Sequence, residues 1–226
     1  MSSTALRHLH IYQNNYSPAS VAPCSAKAWL QLRGDNPKIK VHLRVESVKK
    51  CDIILQPNAP VYSVTYRAPK SIITTDKIVS IVDMYKYTLT NFGHELLQET
   101  IDNASANDAN DFQNRVDHLL VLMARNCMNL TTLMIRESVS TCTLLMLAKA
   151  AVNLRVFYVR KSSIIIKCDW PRNQNWTEEF YGWLQMASKS LESTEKEISQ
   201  MLGYNWTMLS DEIYQNVRIS LPGFSL

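Results

Sequence analysis

Between Lys38 and Glu46 apolar and polar residues alternate without a break over nine positions. In an extended strand successive side chains point to opposite faces, so Ile39, Val41, Leu43 and Val45 share one side. Lys38, Lys40, His42 and Arg44 share the other, with Glu46 at the end. The pattern predicts a half-buried strand with a cationic outer side. Ala28–Leu32 is a shorter strand-like run, followed by a turn at Arg33-Gly34-Asp35-Asn36-Pro37. Cys51–Gln56 is a compact apolar run broken by Asn58-Ala59-Pro60, and Val61–Arg67 alternates again. Short links between these runs predict an antiparallel meander of four strands.

The period then changes. Ile78, Ile81, Val82, Tyr85, Leu89, Phe92 and Leu96 recur at helical spacing, which predicts a helix from about Lys77 to Asn103 capped by Thr75 or Asp76. A second helix carries Phe112, Val116, Leu119, Leu120 and Met123. A third runs from roughly Thr131 to Val152, apolar on all sides and therefore buried. Leu154–Arg160 and Ser163–Asp169 read as a β-hairpin around Lys161-Ser162. Thr177 followed by Glu178 and Glu179 opens another helix, and Thr194-Glu195-Lys196-Glu197 matches a capping box. Asn216–Leu221 reads as a closing strand. No internal repeat is visible. The expected fold is α+β: an N-terminal antiparallel β-meander packed on a three-helix group, followed by a β-hairpin and C-terminal helices. Residues 1–25 read as a mobile N-terminal arm. Residues 26–226 read as a single domain, divisible into 26–152 and 153–226.

Composition narrows the chemistry. With 226 residues, 46% of them hydrophobic, the chain can bury a core without covalent staples. Five glycines exclude most phosphate loops built on that residue. Five cysteines with no close pair, and no secretory leader, predict reduced thiols in an intracellular setting, cytoplasm or nucleus. No run approaches the ~20 apolar residues of a membrane helix.

Motifs of enzymes are missing: there is no P-loop, no glycine-flanked serine, no paired-cysteine zinc pattern and no HExxH. His8-x-His10 supplies two imidazoles, too few for a tetrahedral metal site. His94 beside Glu95 and His118 beside Asp117 are sequence neighbours, which on a helix do not face each other. Arg33-Gly34-Asp35 reads as a turn and not an adhesion motif. The acceptor patterns at Asn15, Asn103, Asn129, Asn175 and Asn205 read as chance in an asparagine-rich chain. Neither catalysis, nor a cofactor, nor a metal is expected.

The net charge of +4 hides segregation. Residues 27–70 hold nine Lys/Arg against three Asp/Glu, and 150–175 hold five against one. The strand-like segments are therefore basic and the helix-like ones acidic. The expected polyanion-binding residues are Lys38, Lys40, Arg44, Lys49, Lys50, Arg67 and Lys70 on the first sheet, with Arg155, Arg160, Lys161 and Lys167 on the hairpin. If both shared one face, they would attract RNA or an anionic lipid surface. The functional expectation is a non-enzymatic structural or scaffolding protein that self-associates, with a viral matrix-like protein, peripheral on a membrane, as one version. The alternative is a protein-interaction or host-factor-binding regulatory module. It would use the Trp-rich C-terminal segment, with Trp206 and Tyr204 as partner-binding anchors.

Overall fold

The computed structural model describes residues 6–17, 21–48, 52–97 and 111–222. Six strands pair side by side: β1 (His8–Asn14), β2 (Lys40–Glu46), β3 (Val61–Arg67), β4 (Asn91–His94), β5 (Thr132–Ile135) and β7 (Val156–Val159). Every pairing is parallel, and the strand order follows the chain order. Two short strands, β6 (Val139–Ser140) and β8 (Ile164–Ile165), form a separate parallel pair. The helices are α1 (Ala26–Asp35), α2 (Thr75–Tyr85), α3 (Asp117–Asn126), α4 (Thr141–Ala150), α5 (Glu178–Ala187), α6 (Leu191–Leu202) and α7 (Asp211–Asn216).

The fold is therefore α/β with a parallel sheet, not an antiparallel meander on three helices. His8–Asn14, inside the segment read as an arm, is the edge strand β1, and Ala28–Leu32 lies inside α1. The expected helix to Asn103 stops at Tyr85, and the expected helix from Thr131 begins as β5. β7 and β8 lie in different sheets and form no hairpin. Asn216–Leu221 forms no strand.

A repeat explains these errors. Val82, Leu89 and Phe92 have the same spacing as Met123, Leu130 and Leu133, and as Leu147, Leu154 and Phe157. All nine are buried in one core. In each unit the first residue lies in the last turn of a helix, the leucine sits in the turn, and the last lies on the following strand. All three point into the same core, so a helical step runs on through turn and strand. The turns also chain together. Asn129 Nδ2 donates to the Tyr87 carbonyl at 2.7 Å, and Asn153 Nδ2 donates to the equivalent Met128 carbonyl at 2.7 Å. Stacked strand–helix units of this kind make a solenoid in which each unit contacts its neighbours.

Crossovers of one hand, with no reversal of strand order, put α1–α4 on one face of the sheet. Val41, Leu43, Val45, Val64, Tyr66, Phe92, Leu133 and Phe157 bury that face against Ile78, Leu120 and Leu144. Helices α5 and α6 extend this core through Leu184, Ala187 and Ile198. Ser25, Ser140, Thr177, Ser190 and Ser210 cap the starts of α1, α4, α5, α6 and α7 with side-chain oxygens. Beyond β7, Trp206 Nε1 donates to the Phe157 carbonyl at 2.6 Å and Leu209 N to the Val159 carbonyl at 2.8 Å. These bonds occupy an edge that would otherwise present unpaired backbone.

Gly93 is the tightest point of the sheet. A Cβ there would stand 2.5 Å from Met134 Cβ and 2.8 Å from its carbonyl oxygen. Gly93→Val is expected to destabilise the fold by about 2–3 kcal/mol through overpacking. The check is a lower urea midpoint at unchanged slope.

Candidate functional site

On the face of the sheet away from α1–α4, alternation places His8, His10 and Tyr12 of β1 beside His42, Arg44 and Glu46 of β2. Ser63, Thr65 and Arg67 of β3 follow in register. Glu95, just past β4, completes the row. Arg44 Nη2 reaches Glu95 Oε2 at 2.5 Å, and its Nε lies 3.0 Å from Glu46 Oε1. Arg67 lies 3.3 Å from the same Glu46 oxygen and 3.8 Å from Glu95 Oε2. Two guanidinium groups thus meet two carboxylates. The cationic side expected for β2 is neutralised by an acid that only parallel pairing brings alongside. Burial raises the Glu95 carboxyl above its usual pKa and outweighs Arg44, the Ile219 amide and Arg67, which favour the charged form.

The three histidines of this face are stacked. Ring centroids are 5.3 Å apart for His8 and His42 and 4.7 Å for His10 and His42, with the rings nearly parallel. Burial, then the neighbouring His10 and His8, push His42 down to about 4. His8 Nδ1 lies 3.1 Å from His42 Nε2, so the two rings also share a hydrogen bond. Among the described residues no group of three His, Cys, Asp or Glu side chains is placed to hold a metal.

The two histidine–acid neighbours are separated by their elements. His94 points to the helical side, stacks on Tyr66 and places Nδ1 2.9 Å from Glu137 Oε1, whereas Glu95 points to the opposite face. Burial raises the Glu137 carboxyl, but His94 and then Arg136 outweigh it and bring it down to about 2. His118 is exposed while Asp117 is buried. Asp117 accepts from Arg115, Ser140 and Thr143, tying α3 to the start of α4. In open parallel sheets ligands bind where the strand order reverses, and this order does not reverse.

The remaining basic residues are dispersed. Lys38 lies exposed before β2, and Lys40 places its ammonium 4.8 Å from the Tyr62 ring. Arg155 joins Tyr62 and Tyr87 in a polar groove of about 370 Å³ at the amino ends of the strands. At the opposite ends lie Lys70 and Lys161, both exposed, and Arg160, which holds Asp211 through two bonds of 2.9 and 2.8 Å. Lys167 is exposed beyond β8. Lys49 and Lys50 lie outside the described residues.

The aromatic residues divide in the same way. Trp206, read as a partner anchor, is 3% exposed and stacks on Phe157. Tyr204 is 42% exposed and lines a polar groove of about 600 Å³ with Glu192, Glu195 and Lys196. Trp170 and Trp183 spend their indole N–H groups on Thr143 and Glu197. Trp176 donates to no protein atom among the described residues. It packs edge-on against Phe180, 5.3 Å between centroids. Trp176 and Phe180, with Met146 and Ala150, floor a groove of about 400 Å³ between α3, α4 and α5.

Arg125 and Lys149 stand at the rim of that groove, both exposed and without a carboxylate within 4.0 Å among the described residues. The Lys149 ammonium lies 5.5 Å from the ring centres of both Phe180 and Trp183. Each cation stands five residues before the turn leucine of its unit, Leu130 or Leu154, which is why they are neighbours in space. Reasoning along the chain missed both, because the signal that pairs them is the repeat. No helix among the described residues is long and apolar enough to cross a membrane. A scan against protein-family models and a search of curated proteins each found no match to this chain.

Proposed function

We propose that this chain is a non-catalytic protein-interaction module that captures an acidic segment of a partner, anchored by an aromatic or large aliphatic side chain. The observation that carries the reading is the groove floored by Met146, Ala150, Trp176 and Phe180 and rimmed by Arg125 and Lys149. Its floor takes an apolar anchor, beside the Trp176 indole N–H, which donates to no protein atom among the described residues. Its rim supplies two cations that no carboxylate among the described residues neutralises, and aromatic and arginine residues dominate binding energetics at such sites. The solenoid supports the reading too, since stacked units serve as rigid platforms for extended partners.

Short random peptides displayed on phage and selected on the full chain test it. Selected sequences are expected to carry net negative charge around an aromatic or leucine. Charge reversal of both rim residues, Arg125→Glu with Lys149→Glu, is expected to weaken them roughly tenfold, about 1.4 kcal/mol. Phe180→Ala is expected to weaken them similarly at high salt, where the charge contribution fades. Selection without acidic enrichment, or equal binding to the charge-reversed chain, would overturn the reading. Single-stranded RNA competing as well as the selected peptides would return preference to a polyanion.

A further inference from the structure

We propose that the sheet face away from α1–α4 is a second peptide-binding site, and that its resident ligand is the chain's own C-terminal segment, residues 209–222. This inference is independent of the groove between α3, α4 and α5.

The segment crosses the whole sheet from one edge to the other. At the β7 edge Leu209 pairs with Arg160, and the Arg160 guanidinium holds Asp211. Over β4, Tyr214 donates its hydroxyl to the His94 carbonyl at 2.6 Å. Ile219 then donates its amide to Glu95 Oε1 at 3.1 Å, on the carboxylate that Arg44 holds from the other side. At the β1 edge His10 Nε2 lies 3.2 Å from the Pro222 carbonyl.

Three features give this contact the character of a bound peptide. First, past Leu209 the segment adds no strand to the sheet, and side chains of one party meet backbone of the other. Second, its apolar residues form a cluster of their own. Tyr214, Ile219 and Leu221 pack on Met134, with Leu97 and Tyr158 alongside, separate from the main core. Third, the polar contacts are spaced as recognition points: an acid for Arg160, a tyrosine for the β4 carbonyl, and an amide for Glu95. The ligand class follows. It is a segment with an acidic residue, a tyrosine three positions later, and isoleucine and leucine at the spacing of Ile219 and Leu221.

Tethering gives the chain's own segment a millimolar effective concentration, so an outside segment of the same chemistry binds only when the internal one is weakened. The full chain carrying Ile219→Asp and Leu221→Asp is therefore titrated with a fluorescein-labelled peptide of residues 208–222. Arg160→Ala, which loosens only the β7 end, serves as the milder variant. The peptide is expected to bind each variant at least tenfold more tightly than the native chain. A peptide carrying Tyr214→Ala and Ile219→Asp is expected not to bind. Two results would overturn the proposal. One is loss of the cooperative melt in both variants, which makes the segment part of the fold's own core. The other is folded variants that bind the peptide no better than the native chain.

Discussion

Glu95→Ala is expected to lower the stability of the fold by about 3–5 kcal/mol, the range for stripping one partner from a buried ion pair. Arg44 is 6% exposed and Glu95 0% exposed, so the guanidinium left behind has little water to turn to. Glu46 still faces it at 3.0 Å, but that carboxylate also serves Arg67. Burial holds the Glu95 pKa up despite Arg44. The loss therefore comes chiefly from the orphaned arginine, and only secondarily from the attraction itself. The double variant Arg44→Met with Glu95→Leu separates these contributions. Removing both charges is expected to recover most of the loss, leaving about 1–3 kcal/mol for the Ile219 amide without its acceptor. Urea unfolding of the two variants measures both quantities. A Glu95→Ala chain within about 1 kcal/mol of native would show that Arg44 finds another partner.

Acid is expected to weaken the same face. His42 has an ordinary value of 6.5 and is pushed down to about 4 in the fold. The unfolded chain therefore takes up a proton near pH 6.5 that the folded chain refuses until about pH 4. The stability tied to neutral His42 is complete above pH 6.5 and drains away as pH falls to about 4. Over that span of about 2.5 pH units the loss approaches ~3 kcal/mol. His8 is lowered as well and acts in the same direction. Glu95 opposes them, because a raised carboxyl favours the folded state as it protonates. Glu137 and Asp211, both held near 2, begin to lose their contribution as pH falls below their ordinary 4.5 and 3.8, and lose the rest by about 2. Unfolding midpoints measured from neutral pH to about pH 4 give the slope, and His42→Leu is expected to flatten it. An equal slope in the variant would place the acid sensitivity elsewhere.

Much of the local structure could be read along the chain. Val41, Leu43 and Val45 do bury one side of β2, and Val64 and Tyr66 one side of β3. Thr177 and the acids after it do open α5. The topology cannot be read along the chain for a definite reason. In each unit the helix, its turn leucine and the next strand aim at one core, so Leu89 and Phe92 continue the step set by Ile78 and Val82. Treating residues 77–152 as a succession of helices hid the repeat whose turn leucines are Leu89, Leu130 and Leu154. Once the strands are parallel, the site changes as well. Arg44 and Arg67 acquire Glu95, Arg160 acquires Asp211, and Trp206 turns inward against Phe157. Arg125 and Lys149, unremarkable along the chain, become neighbours above Trp176 and Phe180.

The sequence by itself determined which side of β2 and β3 is apolar, where α5 begins, and how many charges there are to place; the capping box at Thr194 lies inside α6, which Ser190 caps. Those properties depend on side-chain alternation and on hydrogen bonds that close within a few residues. Tertiary structure alone decided which charges remain available to a partner. Neutralisation depends on contacts between residues as far apart as Arg44 and Glu95, and parallel register, invisible in local spacing, creates those contacts.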